Sequence, residues 1–188
     1  MTVGMVQRSQ PGIFRTRHFL IALAVFILDQ ISKGLVQGLP RRESVDVIPN
    51  LFRIVHVENS GAAFGLFQNA DSPLKNALLI AFSLAALIVV FALLWKNAQS
   101  RLSGLALAMI FGGACGNLFD RLLRGSVVDF LLFYIGPHEW PTFNLADSAI
   151  VIGAGLLVWE ILRGERAPAA LPALAEAEPG GEVGSRES

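Results

Sequence analysis

Four apolar runs dominate this chain: Phe19 to Val36, Leu74 to Trp95, Leu102 to Leu123 and Leu145 to Leu162. Each is close to the ~20 residues that a helix needs to cross a hydrocarbon core. In that solvent backbone groups must be satisfied within the segment, which restricts the chain to helices over these stretches. Hydrophobic residues make up 53% and charged residues 16% of the 188, more apolar than a soluble domain of this size normally is. The expected fold is an all-α membrane protein, a compact bundle of four transmembrane helices.

The first run follows Arg8, Arg15 and Arg17 and so resembles a secretory signal. It is too long for one, and no small-residue cleavage site follows, so it is read as an uncleaved helix. The basic N-terminal tail, with Lys96 and Arg101 in the short second loop, favours both termini on the cytoplasmic side. Arg41, Arg42, Arg53 and Lys75 oppose this from the first loop, which is long enough to weaken their vote. Trp95 and Trp159 would then mark the inner interface, and Tyr134 and Trp140 the outer one. Residues 1–18 form an expected cytoplasmic tail and 19–162 the membrane-embedded domain. Residues 163–188, rich in Ala, Pro, Glu and Gly, bury too little to fold alone and are expected to be disordered.

Between the first two runs, Ser44 to Phe67 is strand-like, with Val45, Val47, Phe52, Ile54, Val55 and Val57 partly alternating with Asp46, Arg53, His56 and Glu58. It ends in Asn59-Ser-Gly-Ala-Ala-Phe-Gly. A small extracytoplasmic β-sheet between helices 1 and 2 is expected, able to hold an extended peptide at its edge. A partly ordered connector is the plainer alternative.

Against this apolar background the carboxylates stand out. Asp129 follows Val127-Val128 and precedes Phe130-Leu131-Leu132, with no evident charge partner nearby in sequence. Asp147 falls in the first turn after Phe143-Asn144, where a helix dipole already favours a negative charge. An ionisable residue kept at the edge of a membrane span costs several kcal/mol and marks a functional site by default.

Other polar residues group around them by helical spacing. Asn144 shares a face with Asp147 and can cap the helix or orient a carboxylate. Asn117, Asp120 and Arg121 share a face near the end of the third run, where Asp120 paired with Arg124 would form an ordinary polar rim. Asp29 and Lys33 lie one turn apart in the first run. A helical ion pair, with Lys33 reaching toward the outer interface, accounts for them without function. Gly112 and Gly116 allow close helix packing.

Asp29-Gln-Ile-Ser-Lys, Asn59-Ser-Gly-Ala-Ala-Phe-Gly, Gly112-Gly-Ala-Cys-Gly-Asn-Leu-Phe-Asp-Arg, Val128-Asp-Phe and Phe143-Asn-Leu-Ala-Asp together resemble, in order, the motif series of the bacterial lipoprotein signal peptidases, or signal peptidase II. The resemblance runs from about Phe19 to Leu162. It implies an intramembrane aspartyl endopeptidase in which Asp129 and Asp147 are catalytic and Asp29, Asn59, Asn117, Asp120, Arg121 and Asn144 shape and support the site. The implied substrate is a prolipoprotein whose lipobox cysteine carries diacylglycerol, cut on the N-terminal side of that cysteine. The implied setting is the bacterial inner membrane, with the site toward the extracytoplasmic side.

The chemistry suits the residues independently. Two carboxylates in a low-dielectric site do not both ionise easily, so they share a proton. The ionised member can activate a water while the protonated one polarises the scissile carbonyl. No cofactor is expected. His18, His56 and His138 are scattered without ligand spacing, so no metal is expected, and Cys115 has no histidine at its depth to make it a nucleophile. Membrane lipids are the other expected partners; no nucleic acid is, and a monomer is anticipated. A proton-coupled transporter would also keep intramembrane carboxylates, but four spans without an inverted repeat suit it poorly. A purely structural subunit would leave Asp129 and Asp147 unexplained.

Overall fold

The computed structural model describes residues 11–39, 44–61, 73–97 and 101–164. Four helices, α1 (Pro11–Gln37), α2 (Pro73–Asn97), α3 (Arg101–Arg124) and α4 (Leu145–Gly164), carry spans long and apolar enough to cross a membrane. Those spans, Thr16–Gln37, Leu74–Trp95, Arg101–Arg124 and Leu145–Arg163, match the four apolar runs to within a few residues.

α3 is the centre of the bundle. It packs against α1, α2 and α4, and 50% of its span is buried, whereas 11% of α2 is. Lipid tails are as apolar as leucine, so burying leucines does not hold such helices together; close packing and polar contacts do. Small residues on α3 provide the first. A side chain at Gly112 would run into the backbone of Ala22 on α1, and one at Gly116 into the Asp29 carboxylate. Many leucines meanwhile face outward: Leu20, Leu28, Leu35, Leu78 and Leu123 are all exposed.

The sheet is larger than expected and differently built. It is antiparallel in the order β1 (Ser44–Ile48), β2 (Phe52–Asn59), β3 (Val127–Ile135), β4 (His138–Glu139). The expectation of a sheet lying between helices 1 and 2 covers only β1 and β2 and is corrected for the rest, because β3 and β4 come from the connection between α3 and α4. Residues 62–67 of the strand-like stretch, and residues 165–188 of the tail expected to be disordered, lie outside the described residues. β3 escaped the sequence reading because its residues alternate in neither face: Val127, Val128, Phe130 and Leu132 are all buried. A strand covered on both sides reads as a continuous apolar run. Its start is fixed by Gly125, which takes φ +74° and donates its N–H to the Arg121 carbonyl at 3.2 Å, ending α3 as a left-handed cap.

Side chains on one sheet face pin the register. Asp46, Arg53 and Tyr134 meet across β1, β2 and β3: Arg53 Nε donates to Asp46 Oδ1 at 2.7 Å, Tyr134 Oη donates to the same oxygen at 2.8 Å, and the guanidinium lies 4.4 Å from the Tyr134 ring centre. These contacts hold the Asp46 carboxyl below its ordinary range, with the Arg53 hydrogen bond the largest cause. Tyr134, expected as a marker of the membrane interface, also ties the three strands together.

Candidate active site

The sheet end of the bundle gathers the polar residues singled out in the sequence. The segment leading into α4 is locked to β3 by three backbone hydrogen bonds. Phe130 N and Leu131 N donate to the Phe143 carbonyl at 3.0 and 2.8 Å, and Phe143 N donates back to Leu131 O at 3.1 Å. Asn144 is thereby delivered beside Asp129, and α4 begins at that point.

Asn144 is the N-cap of α4. Its Oδ1 accepts from Asp147 N at 2.9 Å, while Asp147 Oδ2 accepts from Asn144 N at 3.3 Å, the reciprocal pattern of a capping box with aspartate in the returning position. Its side-chain nitrogen points the other way and donates to Asp129 Oδ1 at 2.7 Å and to Asn117 Oδ1 at 3.2 Å. One fully buried residue therefore reaches both carboxylates, Asp129 through its side-chain nitrogen and Asp147 through its backbone N–H. Asn117, from α3, donates to Asp147 Oδ1 at 2.7 Å.

Asp129 sits on β3 rather than on a helix and is only 2% exposed. Its second oxygen accepts from Asn59 Nδ2 at 2.9 Å at the end of β2, and Asn59 Oδ1 in turn caps Gly61 N at 2.9 Å, a side-chain turn that fixes the amide. Burial pushes the Asp129 carboxyl up to about 6; the Asp147 charge adds to the rise, and the hydrogen bonds from Asn59 and Asn144 and the Lys33 charge work against it. A carboxyl in this range can hold or release a proton near neutrality.

Below the pair lies a buried ionic layer. Lys33 Nζ is 2.8 Å from Asp29 Oδ2 and 2.8 Å from Asp120 Oδ2, and it donates to Asn117 Oδ1 at 3.0 Å. Asp29 Oδ1 accepts from Ala146 N at 2.9 Å, which fastens α1 to the first turn of α4 beside Asp147. Asp120 also pairs with Arg124, as its spacing predicts. The expectation that Lys33 reaches out to the interface is corrected: its side chain is fully buried and turned toward α3, because two carboxylates balance its charge there and an amide oxygen accepts from it.

The structure thus brings Asp29, Asn59, Asn117, Asp120, Asp129, Asn144 and Asp147 into one connected network. Arg121 is its edge, part-buried, donating to the Asn117 carbonyl at 3.3 Å. Sequence reasoning missed Gln30, whose Nε2 bridges Asp29, the Gly116 carbonyl and Asp120 at 3.1, 3.3 and 3.2 Å. Its neighbour Asp29 was the available signal, but which face Gln30 takes depends on where α3 lies. Among the described residues, no three His, Cys, Asp or Glu side chains group to hold a metal ion. An apolar depression of about 460 Å³ between Phe133, Trp140 and Phe143 lies along the sheet and contains neither carboxylate of the pair.

Known proteins resemble this chain in sequence and in fold. A sequence profile of the family described as signal peptidase (SPase) II matches residues 21–163. The chain is 43% identical over 155 residues to the lipoprotein signal peptidase of Solibacter usitatus, covering 81% of this chain and 94% of that one. It is 40% identical over 146 residues to the lipoprotein signal peptidase of Teredinibacter turnerae, covering 78% and 87%. In three dimensions it resembles a solved bacterial membrane enzyme with a TM-score of 0.74 at 32% identity, over 83% of this chain and 93% of the other.

Proposed function

The chain belongs to the signal peptidase II family, and on that premise we propose that it is an intramembrane aspartyl endopeptidase that removes signal peptides from prolipoproteins, with Asp129 and Asp147 as its catalytic pair. It is a multi-pass membrane protein and a hydrolase. The observation that carries the mechanism is Asn144 donating to both carboxylates, from its side chain to Asp129 and from its backbone N–H to Asp147, since it draws a strand residue and a helix residue to one point.

Asp129, held near 6 by burial and by the neighbouring Asp147 charge, is the member that keeps the proton. Asp147, supported by Asn117 Nδ2 and the Asn144 backbone N–H, is the member that takes a proton from a water as that water attacks the scissile carbonyl. Asp129 gives its proton to the carbonyl oxygen, so charge does not accumulate on the tetrahedral centre. As that centre collapses, Asp147 passes the proton taken from water to the leaving amine and the hydroxyl on the former carbonyl carbon returns its proton to Asp129, so no covalent enzyme intermediate forms.

The substrate is a prolipoprotein whose lipobox cysteine carries diacylglycerol, cleaved N-terminal to that cysteine. The protein works in the bacterial inner membrane with the sheet on the extracytoplasmic side and both termini in the cytoplasm, as Arg17, Lys96 and Arg101 at the other end of the bundle favour. Asp29, Asn59, Asn117, Asp120, Arg121 and Asn144 position the pair. Residues 19–162 form the peptidase domain. The deciding experiment is cleavage of a diacylglyceryl-modified precursor peptide by the purified protein alone. Release of the signal peptide supports the assignment; no cleavage by folded protein, or ion flux into proteoliposomes in its place, overturns it.

A further inference from the structure

The buried ionic layer holds a cation for which the reaction just described has no use. Lys33 is 0% exposed and faces two carboxylates. Asp120 already has Arg124, and Asp29 Oδ1 already has the Ala146 N–H. The contact that neutralisation does not require is the third one, 3.0 Å to Asn117 Oδ1.

That contact has a directional consequence. A side-chain amide has a donor end and an acceptor end that exchange when it turns over, and its neighbours decide which way it stands. An ammonium can only donate, so Lys33 forces Asn117 to present oxygen to it and nitrogen to the opposite side. The nitrogen then donates to Asp147 Oδ1 at 2.7 Å. With its oxygen also facing Asn144, Asn117 requires the nitrogen of Asn144 at 3.2 Å. That nitrogen is the one that donates to Asp129 Oδ1, leaving Asn144 Oδ1 to accept from Asp147 N. One buried ammonium sets the polarity of two amides, and through them the donors that reach both carboxylates.

We propose that Lys33 is a positioning residue for the aspartate pair, acting through Asn117 to hold the amide nitrogen toward Asp147. The inference rests on the catalytic assignment of Asp129 and Asp147. Loss of the ammonium lets the Asn117 amide turn over, placing an oxygen against the Asp147 carboxylate and misaligning the group that activates the water. Misplacement on that scale costs about 100-fold in turnover. Substrate binding, made elsewhere, changes little.

The test uses the full-length protein in lipid nanodiscs and a diacylglyceryl-modified precursor peptide. K33M is expected to lower kcat by about 100-fold with KM within about threefold. K33M alone leaves a buried negative charge unbalanced, so the charge-balanced pair D29N/K33M is measured beside it and is expected to fold while kcat stays low. N117A, which leaves the Lys33 ion pairs in place, is expected to reproduce the kcat loss, and K33M in the N117A background to cost almost nothing more. Near-normal kcat in N117A, recovery of kcat in D29N/K33M, a loss confined to KM, or independent losses from K33M and N117A would each overturn the proposal. D129N separates the two levels of the argument: an active D129N refutes the catalytic assignment, whereas an inactive D129N with N117A fully active refutes only the role of Lys33.

Discussion

The Asn144 side-chain nitrogen lies 2.7 Å from Asp129 Oδ1, joining the N-cap of α4 to strand β3. A strand residue and a helix cap thereby share one hydrogen bond, and the proposed catalytic pair lies at the junction of two kinds of secondary structure. Four expected outcomes follow from that arrangement.

Asp129→Asn and Asp147→Asn are each expected to abolish turnover while leaving the helices folded. Residues acting as a unit are not additive, so the double variant should lose little more than either single one. Chelators are expected to leave the rate unchanged. Residual activity in either folded single variant, measured by signal-peptide release, would remove the aspartyl mechanism.

The Asp129 carboxyl, raised to about 6 chiefly by burial, must be protonated to act as the acid. Above that value the free enzyme loses the proton, so kcat/KM is expected to fall as pH rises through about 6. The Asn59 N–H favours the ionised form, and its removal therefore raises the value at which the proton leaves. In Asn59→Leu the basic limb should move to higher pH, at reduced overall rate. A pH–rate profile that stays in place, or moves to lower pH, contradicts the assigned role.

Asn144→Ala removes the cap of α4 and a donor to Asp129 together. Loss of such a cap costs about 0.5–2 kcal/mol of stability, so a lowered Tm is expected. The rate should fall further than that instability explains, because Asp147 N and Asp129 Oδ1 both lose a partner. Equal Tm and equal rate in wild type and variant would show that the junction does not organise the site.

Orientation is checked with reporters. A topology reporter fused after Leu162 is expected to read cytoplasmic, and one inserted near Asp71 to read exported. The reverse pattern would put the sheet on the cytoplasmic side and require a different substrate encounter.

The residues that make the site were legible as residues. Hydropathy is local, so four runs of apolar side chains located the four spans to within a few positions. A carboxylate in such surroundings announces itself by its cost, which is why Asp29, Asp120, Asp129 and Asp147 stood out from the sequence alone. What sequence did not carry was direction. β3 is covered on both faces and so has no alternation to read. The side that Lys33 and Gln30 take on α1 depends on where α3 packs, 80 or more positions further along the chain. The polarity of Asn117 and Asn144 depends on a lysine from a third element. Such features arise only when distant segments meet, because a hydrogen bond has a donor and an acceptor, and only the folded arrangement decides which stands on which side.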